Sequence, residues 1–179
     1  AGVRGRLRLL ASSAASAKGD FDFVGVTHAF TEPMCTVALF EPDGRLLNYH
    51  ARRLSRPPAE VMGRLSRMGS GLDDVWPLPG VPMKTAGAMQ PGVSAAHGPI
   101  RYELVAIDAA PRIEWRFTME LFQGRYEYVV TPDGAGAIVE NVIDGRVSGD
   151  LLTLWPEAVA RLHDWIIEGV FDALDREPA

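Results

Sequence analysis

A chain of 179 residues with 47% apolar and 23% charged residues has the make-up of a soluble globular protein, long enough for one domain with a real core. Its net charge of −5 argues against a broad nucleic-acid footprint, and no apolar run nears the ~18 residues that span a bilayer, which excludes stable membrane insertion by a helix. The single Cys35 excludes an intramolecular disulfide and fits a reducing, cytoplasmic setting; lying in an apolar run, it reads as a small core residue.

Residues 1–20 are small, polar and basic and read as a mobile amino-terminal arm, with 21–179 as a single domain. Arg4, Arg6 and Arg8 precede an apolar stretch, but serines dilute it too much for a targeting peptide. Residues 21–26 read as a short strand and 34–41 as another. Pro42-Asp43-Gly44 is turn chemistry, and 45–54 form the second arm of a hairpin with Leu47, Tyr49 and Ala51 on one face. In residues 55–68, Pro57 and Pro58 open a helix in which Val61, Met62, Leu65 and Met68 recur at helical spacing. Arg52, Arg53, Arg56, Arg64 and Arg67 read as solvated charges, with an acidic-ligand site as the alternative. Residues 69–92, broken by prolines and glycines, read as loop with a short helix at 72–75 and a short strand near Met83. Trp76 in that loop either plugs a core edge or lines a mouth.

From His97 the pattern is β. Ile100, Tyr102 and Leu104 share one face, and Arg101 and Glu103 face solvent. Residues 112–121 alternate strictly, with Ile113, Trp115, Phe117, Met119 and Leu121 against charged or hydroxyl partners, as in a half-buried antiparallel strand. Residues 124–130 put Tyr126 and Tyr128 on one face; Pro132-Asp133-Gly134 turns the chain; 135–143 form a strand with Asn141 in phase with Ala137 and Val139. Glu140 is expected at the surface, and 145–150 link to a helix over 155–175 with Pro156 in its first turn. On that helix Glu157, Arg161, Asp164, Glu168, Asp172 and Asp175 fall in one narrow arc. Trp155, Val159, Leu162, Trp165, Ile166 and Val170 belong to an apolar side broad enough to be wrapped by something concave. Strands joined by tight turns and segregated from helices make the fold α+β: a twisted antiparallel sheet curling about one long helix.

Ser55-Arg56-Pro57-Pro58-Ala59-Glu60-Val61, Asp73-Asp74-Val75-Trp76-Pro77, His97-Gly98-Pro99-Ile100-Arg101-Tyr102, and Trp155-Pro156 through Leu162-His163-Asp164 occur in an order that resembles the START/Bet v 1-like (SRPBCC) superfamily. Within it, the polyketide cyclase/dehydrase and lipid-transport group is the nearest likeness, covering about residues 45–175. The resemblance implies a helix-grip fold, a curved antiparallel sheet wrapped around a long C-terminal helix. It also implies a cavity between the two for a hydrophobic small molecule such as a lipid, polyketide or aromatic. Arg125-Tyr126-Glu127-Tyr128 and Glu140-Asn141 stand where close relatives would carry a histidine, so no catalytic role is transferred and no catalytic residue is assigned.

The aromatic sheet face and the apolar helix side supply the candidate ligand-binding residues: Tyr102, Trp115, Phe117, Tyr126, Tyr128, Asn141, Val159, Leu162, His163 and Ile166. His163 is either a ligand-directing group or a boundary histidine bonded to a backbone carbonyl; His97 reads as a surface residue near a strand start. Asn141 either anchors a ligand or ends a fraying strand. His28, His50, His97 and His163 are scattered singly, so no metal site is expected, and no cofactor fingerprint occurs. Binding of a hydrophobic small molecule is the leading expectation. A cyclase, aromatase or dehydratase using His163, Tyr126, Tyr128 and Asn141 is the alternative, and an interaction module presenting the arginines of 52–67 is the third. Ligand identity and oligomeric state have no sequence signal.

Overall fold

The computed structural model describes residues 8–9, 34–108 and 111–177; the strand expected at 21–26, most of the expected arm and the Cys35 side chain lie outside them. Its strands are β1 (Arg8–Leu9), β2 (Met34–Phe40), β3 (Arg45–Leu54), β4 (Lys84–Thr85), β5 (Ser94–His97), β6 (Ile100–Asp108), β7 (Arg112–Phe117), β8 (Phe122–Asp133) and β9 (Gly136–Val147). They form one sheet in the order β1-β2-β3-β9-β8-β7-β6-β5-β4, each pairing antiparallel. The short helix α1 (Pro58–Leu65) follows β3, starting at the second of two prolines as expected but ending sooner.

Local chemistry explains each reversal. Between β2 and β3 the Gly44 N–H donates to Glu41 O at 2.9 Å, and Gly44 takes φ +87°, which favours glycine. The helix expected at 72–75 does not form. The Asp73 carboxylate instead accepts from the backbone N–H groups of Val75 (3.0 Å), Trp76 (3.1 Å) and Gly69 (2.7 Å), and these local bonds outcompete a helical turn. Pro132 lies inside β8 opposite Ala137, so the chain reverses two residues later, at Gly134. The strand expected to reach residue 121 stops at Phe117, and β9 runs on to Val147.

The sheet is bent where β8 and β9 place Gly124 opposite Gly145. A Cβ on either would collide with the facing backbone, so only glycines permit this approach. A register shift between Leu104 and Ala106 adds a bulge to β6. The concave side then carries continuous rows of side chains. One row runs Asn48, Ile143, Tyr126, Trp115, Leu104, and the next runs His50, Asn141, Tyr128, Ile113. Leu47 and Tyr49, the apolar pair prominent in the sequence of β3, belong to the opposite face.

The terminal helix lies against the concave side in three segments: α2 (Leu151–Leu154), a π-helical turn at Trp155–Val159, and α3 (Ala160–Asp175). Pro156 is therefore not in the first turn of the helix, as its position suggested. It sits inside, where its missing N–H breaks the regular ladder, and the Ala160 N–H bonds Trp155 O five residues back.

The acidic arc faces β3. Asn48 Nδ2 donates to Asp164 Oδ1 at 2.7 Å; His50 lies 3.0 Å from Asp164 through Nε2 and 2.8 Å from Glu168 through Nδ1. Arg52 pairs with both Glu168 and Asp172, and the Ser55 hydroxyl donates to Asp175 at 2.9 Å. Of the apolar side, Ile166, Ile167, Val170 and Phe171 are buried, but Leu162 is 52% and Trp165 54% exposed. The helix is gripped from one flank rather than wrapped.

The expected solvent face also needs correction. Glu140 is only 6% exposed and accepts a hydrogen bond from Tyr49 at 2.6 Å. Arg64 is 4% exposed, bonding Asp74 at 3.1 Å and the carbonyls of Leu174 and Arg176, which finish α3. Arg53 does stay exposed, as expected, while pairing with Asp133, and Arg67 is half-exposed 3.8 Å from Asp74.

Burial pulls the His50 imidazole down, but hydrogen bonds and charge from Asp164 and Glu168 outweigh it and hold the ring above its ordinary 6.5. Burial opposes ionisation of Asp164 and Glu168 as well, yet His50 and its polar neighbours keep both below the usual carboxylate range. The His50 contribution is thus complete below pH 6.5 and lost as pH rises through its raised value; the carboxylate contributions are present above their unfolded values, 3.8 and 4.5, and lost in acid. In EDTA-containing buffer the melting temperature should peak in mildly acidic solution and fall toward pH 8. His50→Gln should lose about 1–3 kcal/mol at pH 6, roughly 3–10 °C in Tm. It should also flatten the decline between pH 6 and 8; thermal melts across pH would show this, and an unchanged slope would contradict it.

Candidate functional site

Between the outer half of the concave face and the π-helical part of the terminal helix lies a cavity of about 310 Å³. The sheet contributes Tyr102, Phe117, Phe122, Tyr126 and Ile143; the helix contributes Trp155, Val159, Leu162, His163, Ile166 and Ile167. The third wall comes from the loops: Trp76, Leu78, Val81 and the segment His97 to Ile100. The extra residue in the π turn shifts Val159, Leu162 and His163 around the helix axis relative to a regular α-helix, which bears on which side chains reach the hollow.

Of the ten candidates from the sequence, Tyr102, Phe117, Tyr126, Val159, Leu162, His163 and Ile166 line this one cavity, while Trp115, Tyr128 and Asn141 do not. Trp115 is packed solidly in the core between the rows of β6 and β8. Tyr128 stands one row further along and accepts the Tyr126 hydroxyl proton at 2.8 Å. Asn141 is 0% exposed in mid-strand, neither frayed nor at the cavity; its Nδ2 donates to Glu127 O at 3.3 Å, and its amide oxygen has no partner among the described residues.

His97 is not the surface residue expected. It ends β5 half-buried, its Nδ1 3.1 Å from the Tyr102 hydroxyl and its ring 4.9 Å from that of Trp76. Burial, with a smaller push from the Arg101 charge, lowers its pKa to about 4, so it is neutral and accepts the phenolic proton. Trp76 lines the cavity, its indole N–H donating to Val81 O at 3.0 Å. Pattern reading missed Leu78 and Val81 as a wall because a proline-punctuated loop has no periodicity, and His97, the last residue of the short strand β5, has too few neighbours in phase to mark an inner face. Trp76 was the only signal there.

His163 is the polar centre of this surface. Its ring meets Tyr126 edge-on at 6.1 Å and His50 at 5.9 Å. No backbone carbonyl receives its N–H: both ring nitrogens are sealed from water and unpartnered among the described residues. Burial, reinforced by the neighbouring His50, pushes its pKa to about 3. Burial also raises Tyr102, Tyr126 and Tyr128 above the ordinary phenol value, so every phenol here is neutral at physiological pH. The arrangement offers an apolar, largely aromatic enclosure with a neutral imidazole as its unused hydrogen-bonding group. No metal was expected from histidine spacing, yet folding brings His50, His163 and Asp164 together, with one potential ligand atom from each lying within 4.8 Å of the others.

Residues 47–177 match the family described as polyketide cyclase / dehydrase and lipid transport. Curated protein sequences give no match. Solved structures of similar fold include Ara h 8.0201, at 16% identity over 74% of this chain and 96% of that one, TM-score 0.57. Others are CalU16 from Micromonospora echinospora, at 14% identity over 76% and 84%, TM-score 0.51, and protein MLL2253 from Mesorhizobium loti, at 14% identity over 74% and 99%, TM-score 0.57. At such identities the likeness is one of fold. Among the described residues no helix is long and apolar enough to cross a membrane.

The three described histidines should separate cleanly in an NMR titration of their ring signals. His97 and His163 should stay neutral from pH 8 down to pH 5, their values being about 4 and about 3, and His50 should titrate above 6.5. A midpoint for His163 near its ordinary value would mean that water reaches its ring.

Proposed function

The chain belongs to the polyketide cyclase/dehydrase and lipid-transport family of the START/Bet v 1-like superfamily, and from that premise we propose that it binds a compact hydrophobic molecule between the sheet and the terminal helix. The observation that carries this reading is an aromatic cavity whose wall holds a sealed, unpartnered His163. Leaving a buried polar group unbonded costs about 1–3 kcal/mol, and a ligand hydroxyl or carbonyl would remove that cost once the His163 ring turns a nitrogen toward the cavity. The volume of about 310 Å³ stands at the low end of small-molecule sites, roughly 300–1,000 Å³. It suits one or two fused rings or a short acyl chain better than an extended lipid.

A cyclase-type activity is the second reading, favoured by Tyr126 and His163 meeting at the same wall. Such an enzyme would work mainly by holding a flexible chain in a reactive fold. Proton abstraction by His163 at neutral pH is a weak prospect, because an imidazole whose pKa is about 3 is far from the value that serves a general base there. The third expectation, an arginine-rich partner surface, has less support: Arg64 is buried, and Arg52, Arg53, Arg56 and Arg67 each form an ion pair within the chain.

Native mass spectrometry of freshly purified protein, followed by thermal-shift screening against hydroxylated aromatics and short acyl compounds, tests the binding reading. Binders should raise Tm by several degrees. Val159→Phe, which fills the cavity from a half-buried helical position, should keep the unliganded Tm within a few degrees and abolish most of the ligand-induced shift. A library that stabilises neither protein would overturn the proposal, and turnover of a poly-β-keto substrate would move the second reading ahead.

A further inference from the structure

The same helix-to-strand seam holds a group of donors of which the ligand reading uses only His163. His50 projects from β3 into the core, fully buried; Asp164 and His163 are consecutive on α3. A ligand atom from each lies within 4.8 Å of the other two, and His50 Nε2 is 3.0 Å from Asp164 Oδ1. Donors sharing a tetrahedral ion stand about 3.3 Å apart when metal–nitrogen bonds are about 2.0 Å. Two of the three are therefore already at coordination distance. The third, His163, makes no hydrogen bond among the described residues, so turning its ring to close the set breaks none there.

The surroundings have the form that such a site requires. Glu168 lies 2.8 Å from His50 Nδ1, so it can receive that N–H and present Nε2 outward. This is the carboxylate–histidine arrangement that orients metal ligands and raises their basicity. Asn48 Nδ2 fixes the Asp164 carboxylate at 2.7 Å in the same way. Three carboxylates, Asp164, Glu168 and Asp172, line this stretch of the seam, and Arg52 pairs with the last two.

We propose that His50, His163 and Asp164 form a binding site for a divalent first-row transition metal ion. Two imidazoles and one carboxylate suit Zn²⁺, Fe²⁺ or Co²⁺ and disfavour Mg²⁺ and Ca²⁺, which take oxygen donors. On binding, the ion replaces the proton shared between His50 Nε2 and Asp164, which leaves to solvent. It also gives a partner to one of the two unpaired His163 nitrogens, and the other stays available for hydrogen bonding. His163 is the member of the three that lines the cavity, so the ion stands at the cavity wall, within reach of an oxygen-bearing ligand.

The probes are Zn²⁺ and Co²⁺ alone, added to the EDTA-treated and dialysed full chain at pH 7.5 without organic ligand, so the result is separate from the hydrophobic-binding reading. Calorimetry should show one equivalent bound, Co²⁺ should develop the visible absorption of a low-coordinate site, and Mg²⁺ should not compete. His163→Gln gives up no hydrogen bond and should melt close to the wild type while weakening Zn²⁺ by roughly tenfold or more. If that variant folds poorly, ring signals of the wild type decide the matter: His50 and His163 should shift together on Zn²⁺ addition, and His97 should not. Unshifted rings at millimolar Zn²⁺, equal affinity in His163→Gln, or effective competition by Mg²⁺ would each overturn the site.

Discussion

The seam between β3 and α3 determines where everything else lies. It joins two repeats of different origin. Alternate residues of a strand stand about 6.6–6.8 Å apart, and residues four apart on a helix are separated by about 6 Å. Asn48, His50 and Arg52 follow the first spacing; Asp164, Glu168 and Asp172 follow the second. The near match lets strand and helix run in the same direction with each strand side chain meeting an acid, and with His50 and Arg52 each bridging two. Sliding the helix by one turn would leave a buried histidine or a carboxylate without its partner, which costs far more than sliding an apolar contact.

From that register the position of the cavity follows. With the acids turned to β3, Ile166, Ile167, Val170 and Phe171 point into the concave sheet, and Val159, Leu162 and His163 come out over its aromatic end. The π turn at Pro156 acts on the same residues, because an added residue in one turn rotates everything on one side of it relative to the other. The polar seam sets the helix, and the proline adjusts the part of the helix that meets the cavity. Gly124 and Gly145 act within the sheet, where they allow β8 and β9 to approach more closely than any side chain would permit.

Much of this architecture was legible in the chain. The alternation through Ile113, Trp115 and Phe117 specified a half-buried strand, Arg45–Leu54 emerged with its bounds intact, and the order of elements with its family likeness indicated the helix-grip fold. The seam itself was harder to read for a specific reason. Periodicity marks the apolar face as the inner one, and on β3 the apolar residues Leu47 and Tyr49 face away from the helix while Asn48, His50 and Arg52 face it. A polar row meeting an acidic arc looks, on each element separately, like two solvated faces. The loop wall of the cavity was illegible because Leu78 and Val81 follow no period and His97 ends a strand too short to mark an inner face; only the isolated aromatic Trp76 hinted at it.

The distribution of satisfied and unsatisfied polar groups separates scaffold from site. Along the seam His50, Asn48, Arg52 and Ser55 all meet partners on the helix, and Arg64 closes its last carbonyls. One position further around the same helix, His163 has both nitrogens buried and unbonded. Single unpaired atoms occur nearby as well, at Asn48 Oδ1, Arg52 Nε and Asn141 Oδ1, but each of those side chains makes another hydrogen bond, whereas His163 makes none among the described residues. Folding stability alone therefore gives no reason for an imidazole here, where a leucine would pack without an unpaired group. The residue makes physical sense as a group whose partner comes from outside the chain, either an oxygen of a molecule in the cavity or an ion between the helix and β3. An imidazole, with two nitrogens at opposite edges of one ring, can accept both.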